Sequence, residues 1–193
     1  MPKPKEAIKM TTGIRWRVIT LQVVIVLVLG FLTGFLFWGT SFANGMVRDQ
    51  LASQHIAFPS ARVLSAPEYP AEIHLYAGQQ VVNGDQARVY ANDFIAVHLK
   101  AMKPYNTYAA ASAAAVADPK NAQLQGLVNT LFKGTMLRAT LLNAYGWWQV
   151  GEYALYAAIG LLVATIGVLG ALAFELMQLH RPARHKVILR ATA

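Results

Sequence analysis

The chain has no cysteine at any of its 193 positions. That absence excludes a disulfide framework, a thiolate metal site, a cysteine-ligated iron–sulfur cluster and covalent haem attachment. Charge is also scarce, at 13% of residues, and it is missing altogether from two long runs. Val18 to Phe42 and Tyr153 to Phe174 contain no Asp, Glu, Lys, Arg or His. Proton relays, ion paths and voltage sensors need ionisable groups at membrane depth, and membrane haems need axial His or Met ligands there. The runs supply neither, which argues against a channel, a pump or a haem carrier acting alone. No Asn-x-Ser/Thr sequon, HExxH, Walker loop, GxSxG or dinucleotide fingerprint occurs.

What the sequence does have is hydrophobicity, at 55% of residues, gathered into those two runs. A helix rises about 1.5 Å per residue and the hydrocarbon core is about 30 Å thick, so about twenty apolar residues cross it. Both runs qualify as transmembrane helices. The first is too long for the apolar region of a signal peptide, which has about 7–15 residues, although Ser41, Phe42 and Ala43 resemble a cleavage site. Tryptophan, which favours the headgroup level, marks the expected boundaries: Trp16 at the inner face, Trp38 at the outer face, and Trp147 and Trp148 at the outer end of the second run. Trp16 and Trp38 are 22 residues apart, about 33 Å along a helix.

The net charge of +8 lies mostly in the tails: residues 1–17 carry five Lys/Arg against Glu6, and residues 175–193 carry four against Glu175. Residues 18–174 have eight Lys/Arg and seven Asp/Glu, which gives no basic patch for nucleic acid. Basic tails flanking two spans follow the positive-inside rule and imply a two-pass plasma-membrane protein with both termini cytoplasmic. The expected order is a basic cytoplasmic tail (1–17), transmembrane helix 1 (18–42), an extracytoplasmic, mainly helical domain (43–152), transmembrane helix 2 (153–174) and a second basic tail (175–193). The fold class is all-α. The tails favour anionic lipid headgroups at the cytoplasmic face, at about 1 kcal/mol per Lys or Arg near the surface.

Within the spans, Gly30 and Gly34 form a small-xxx-small pair. Ala157, Gly160, Ala164, Gly167 and Ala171 form a small-residue stripe at steps of three and four. Such faces let another helix backbone approach closely, so these seven residues are the expected helix-packing interface, toward integral membrane partner subunits, toward each other or toward a second copy. Gln22 and Thr33 are read as helix-to-helix hydrogen bonders.

Between the spans, residues 44–54 extend the first helix by two or three turns. The prolines at 59, 67 and 70 and Gly78 predict an irregular excursion with a short extended piece at Glu72–Tyr76. Asn83 with Gln86 reads as a capping box for a helix reaching about Met102, with an apolar face of Ala87, Tyr90, Phe94, Val97 and Ala101. Thr107 caps an alanine-rich helix through Val116, and Asp118 with Pro119 starts another that runs to about Tyr145. Gly146 then lets the chain turn into the second span. The last helix is unusually apolar, and with Tyr90, Phe94, Phe132 and Tyr145 it offers the wall of an apolar pocket for a lipid or small molecule.

Histidines and carboxylates are the remaining chemistry. Glu72 and His74, if on one side of a strand, could begin a metal site with His55 or His98, but the spacing is not diagnostic. Arg88, Asp93, Lys100 and Lys103 read as a solvated face. No catalytic, cofactor or metal site is expected.

The runs YAGQQVVNGDQARVYANDFIAVHL (76–99) and TLFKGTMLRATLLNAYGWW (130–148) resemble segments of uncharacterised actinobacterial membrane proteins with the same two-span layout. The resemblance covers 43 of 193 residues and implies the topology, with no activity or binding residue attached. The functional expectation is a non-catalytic accessory or assembly subunit of a larger membrane complex, with respiratory and other redox complexes as natural hosts. The alternative is an extracytoplasmic protein that binds a lipid or an apolar small molecule.

Overall fold

A computed structural model describes residues 4–180, which are helical apart from connecting turns and contain no strand among the described residues. The described residues divide into two compact units: a helical pair, formed by residues 4–37 and 156–180, and a middle unit, Trp38–Leu155. Helix α1 is Pro4–Ser53 and α6 is Ala122–His180. Both contain segments long and apolar enough to cross a membrane.

In the helical pair, the faces turned inward are not the ones that residue size suggests. On α1 the covered positions are Ile19, Gln22, Val26, Leu29, Thr33 and Leu36; on α6 they are Ala158, Leu161, Thr165, Val168 and Leu172. Both series alternate steps of three and four, the spacing of a left-handed coiled-coil seam. Ala158 is 0% exposed, whereas Ala157, Gly160, Ala164, Gly167 and Ala171 all lie on the exposed side. The hydroxyls of Thr33 and Thr165 donate to their own helices, at Leu29 O and Leu161 O, both at 2.7 Å. Thr33 is therefore not the interhelical hydrogen bonder expected, because a carbonyl four residues back is always within reach in an apolar setting.

The middle unit is built around the end of α1. Ala43, Val47 and Leu51 are buried on one face, which keeps the helix going eleven residues past Phe42. His55 ends it in the left-handed region, at φ 51°, with Gln54 and His55 N–H closing onto Leu51 and Ala52 carbonyls. After α2 (Ala61–Leu64), the piece expected to be extended is a 3-10 helix, Ala71–Tyr76, with Ile73 fully buried. A run this short, entered from Pro70, has no neighbouring strand to pair with, and the alternation of Glu72 and His74 loses its meaning. The excursion closes on itself instead: Phe58 N–H donates to Gln79 O at 2.9 Å and Val81 N–H to Ile56 O at 2.8 Å, around Gly78 at φ 71°.

The Asn83 cap forms as expected. Gln86 N–H donates to Asn83 Oδ1 at 2.9 Å, and Gln86 Oε1 accepts from Val82 N–H at 2.8 Å. The helix that follows has three parts: α3 (Gly84–Val89), a π-helical segment Tyr90–Ile95 and α4 (Ala96–Ala101). Its deepest face is Ala87, Ala91, Ile95 and, less deeply, Leu99, rather than the expected line through Val97 and Ala101. The wider i→i+5 turn brings the average repeat close to four residues, so side chains four apart stay in register. Thr107 caps α5 (Tyr108–Ala117), accepting from Ala110 N–H at 3.3 Å.

Asp118 closes α5 rather than opening α6: its N–H donates to Ala114 O at 3.0 Å, and its carboxylate holds Asn121 Nδ2 at 3.1 Å. Asn121 is the cap of α6, accepting from Leu124 N–H at 3.1 Å. α6 then passes through Gly146 without turning, because Leu141, Leu142, Ala144 and Trp148 on either side pack onto one core with Val47, Leu51, Phe58, Leu64, Ile73 and Val81.

Candidate functional site

The segment Tyr90–Met102 concentrates the unusual chemistry of the middle unit. Because its repeat is close to four, the rings of Tyr90, Phe94 and His98 line up: centroids are 4.9 Å apart from Tyr90 to Phe94 and 4.4 Å from Phe94 to His98. Phe58 meets Tyr90 edge-on at 5.2 Å and stacks on Tyr76 at 5.4 Å, while Tyr69 stacks on Phe94 at 6.0 Å. Each such pair contributes about 0.5–1.5 kcal/mol beyond burial. The result is a six-ring bank that fixes the segment against the excursion before it.

His98 is oriented at both nitrogens. Nδ1 lies 2.8 Å from Phe94 O, and a carbonyl only accepts, so Nδ1 carries the proton. In the neutral ring Nε2 is then the acceptor for the Tyr69 hydroxyl, 3.4 Å away. Burial, and after it the negative charge of Glu68, hold the Tyr69 hydroxyl protonated to higher pH than an ordinary tyrosine, which suits its donor role.

Among the described residues, clefts border this segment on several sides, and three of them matter here. The first, about 660 Å³, is lined by Glu68, Tyr69, Asp93, His98 and Lys100 among others. Asp93 keeps its proton to higher pH than usual, chiefly through burial and then through Glu72, with Arg88 opposing. Its polar groups are spread over the wall, and among the described residues no three of His, Asp and Glu are grouped to hold a metal ion. His55, one of the histidines considered for such a site, is the left-handed residue that ends α1.

The second cleft, about 370 Å³, is mainly apolar: Tyr90, Phe94, Ile95, Leu99, Met102 and Leu137 wall it, with His98, Thr130 and Lys133 also in the lining. Of the four aromatic residues expected to share a pocket, Tyr90 and Phe94 are in this wall. Phe132 packs instead against Tyr108, with centroids 5.6 Å apart, and Tyr145 lies beneath the Arg88 guanidinium at 5.8 Å. The third cleft, about 460 Å³, lies on the side of α4 that faces the start of α5 and has Lys100 and Arg138 in its wall.

Arg88, read from sequence as part of a solvated face, is an organised residue. It forms a two-pronged ion pair with Glu72, one prong Nη1 to Oε2 at 3.3 Å, and covers Tyr145. Sixteen positions separate the partners, so no local spacing signals them.

The expected anchors also separate. Trp16, Trp38 and Trp147 are exposed, but Trp148 packs on the middle-unit core and its Nε1 is buried without an acceptor. Of the expected packing residues, Gly30, Gly34, Gly160 and Gly167 have nothing within 4 Å of where a β-carbon would stand. No protein-family model, curated protein or solved structure matches this chain.

Proposed function

We propose that this chain is a non-catalytic accessory or assembly subunit of a larger membrane complex, crossing the plasma membrane twice with both termini in the cytoplasm and the middle unit outside. Its contact with integral partner subunits runs through the small-residue stripe of α6, Ala157, Gly160, Ala164, Gly167 and Ala171. What supports this reading is the exposure of all five while the seam through Ala158 and Thr165 is occupied. Small side chains offer lipid tails little surface and offer a helix backbone close approach, so such a face is better matched to another helix than to lipid. The test is purification of a tagged chain from native membranes in mild detergent. Larger membrane subunits are expected in fixed stoichiometry, and Ala164→Leu is expected to release them. A chain that purifies alone contradicts the proposal.

A second reading, an apolar ligand site in the middle unit, is favoured by the 370 Å³ cleft walled by Tyr90, Phe94, Met102 and Leu137. Lipid extracted from the purified chain in a fixed ratio, and reduced by Leu137→Arg, would support it.

A further inference from the structure

The third cleft has two cations and no acidic residue in its own wall, while Lys100 also borders the first cleft with Glu68 and Asp93. Arg138 and Lys100 share its wall with Asn106, Thr107 and Thr135, and none of its lining residues is acidic. Neither cation is ion-paired among the described residues, in contrast to Arg88. Arg138 spends one terminal nitrogen on Asn92 Oδ1, at 2.9 Å, which leaves its other terminal nitrogen for the cleft. A half-buried guanidinium held by a neutral amide, with no ion pair, retains most of its unbalanced charge, and such a group calls for an anion.

Other donors converge on the same cleft. Thr107 accepts from Ala110 N–H, so its hydroxyl proton is directed elsewhere, and Thr107 and Tyr108 bring the first turn of the ten-residue α5 to the wall. The leading N–H groups of a helix have no partner within it and add a partial positive charge. The remaining terminal nitrogen of Arg138, the Lys100 ammonium and the Thr107 and Thr135 hydroxyls, beside the start of α5, form a donor set suited to a tetrahedral oxyanion.

We propose that this cleft binds a phosphate group, carried either by a small soluble phosphate or by an anionic lipid headgroup. Arg138 supplies one charge through its remaining terminal nitrogen, Lys100 the second, and Asn92 is a positioning residue that holds Arg138 in place. The site lies wholly in the middle unit and does not depend on the accessory-subunit reading.

The experiment uses the full chain in a non-ionic detergent. Inorganic phosphate is titrated against thermal unfolding, with chloride at matched ionic strength as reference. In a parallel arm, the chain in phosphatidylcholine nanodiscs is scored for retained phosphatidylglycerol by native mass spectrometry. Phosphate-specific stabilisation identifies a soluble ligand, and retained phosphatidylglycerol identifies a headgroup. In whichever arm responds, Lys100→Gln, at an exposed position that the fold tolerates, is expected to weaken binding about tenfold and Arg138→Gln at least as much. If neither phosphate nor phosphatidylglycerol differs from its reference, or if Lys100→Gln binds like the wild type, the proposal is wrong.

Discussion

Gly84 opens α3 directly after the Asn83 cap, and a β-carbon placed on it would stand 2.2 Å from Trp148 Cβ and 2.4 Å from Trp148 Cγ. Ordinary contact begins at 3.4 Å, so Gly84→Ala requires a separation of about 1.2 Å between two elements packed in one core. Neither yields easily. Gln86 ties the start of α3 to Val82 and Asn83, and Trp148 is set among core residues. Overpacking of this kind costs about 1–3 kcal/mol, while the gain in helix propensity from glycine to alanine offsets at most about 1 kcal/mol. A net loss of about 1–2 kcal/mol lowers the unfolding midpoint by about 2–8 °C in a chain of this length. The assay is thermal unfolding of the whole chain in detergent, followed by tryptophan fluorescence. Gly126→Ala, in α6 with nothing within 4 Å of its added carbon, should be neutral or stabilising. If Gly84→Ala melts at or above Gly126→Ala, the close approach of α3 to Trp148 is refuted.

Two further perturbations follow from the middle unit. His55 holds φ 51° at the end of α1. His55→Gly should therefore stabilise by about 0.5–1 kcal/mol and His55→Val destabilise by about 1 kcal/mol; equal unfolding midpoints would contradict the left-handed turn. Burial raises the pKa of Asp93, so the folded chain binds its proton more tightly than the unfolded chain does. Stability from this group is then present at low pH and is lost as pH rises from the ordinary aspartate range through the raised value. Asp93→Asn should narrow that decline, gaining on the wild type at neutral pH and not in acid, as measured by denaturant midpoints across pH.

How much of this was legible in the sequence depends on how local each signal is. The caps at Asn83 and Thr107 were readable because their partners lie three residues away. Asp118 misled for the same reason: Asp118 and Asn121 both carry a capping side chain, and the first closes α5 while the second opens α6. Gly146 suggested a turn, yet its cost of about 1 kcal/mol in a helix is outweighed by core contacts made by Ala144 and Trp148. The seam through Ile19, Thr33, Ala158 and Thr165 was hidden because every face of an apolar run is apolar, and hydropathy cannot choose between faces. Residue size pointed to Gly160 and Ala164, which lie on the side α1 leaves uncovered. The cleft of Arg138 and Lys100 was invisible for another reason: its cations lie 38 positions apart and meet only through tertiary packing.

The central claim, that the exposed stripe of α6 meets a partner helix, is tested most directly by cross-linking. The chain lacks cysteine, so a single Ala164→Cys carries one thiol, and Ala158→Cys places the same thiol on the covered seam. With a thiol-directed photo-cross-linker in native membranes, Ala164→Cys should yield a discrete adduct with a different integral membrane polypeptide, above the 21.1 kDa of the chain, and Ala158→Cys should not. An adduct only to a second copy, equal adducts from both positions, or no protein adduct at all would contradict the account.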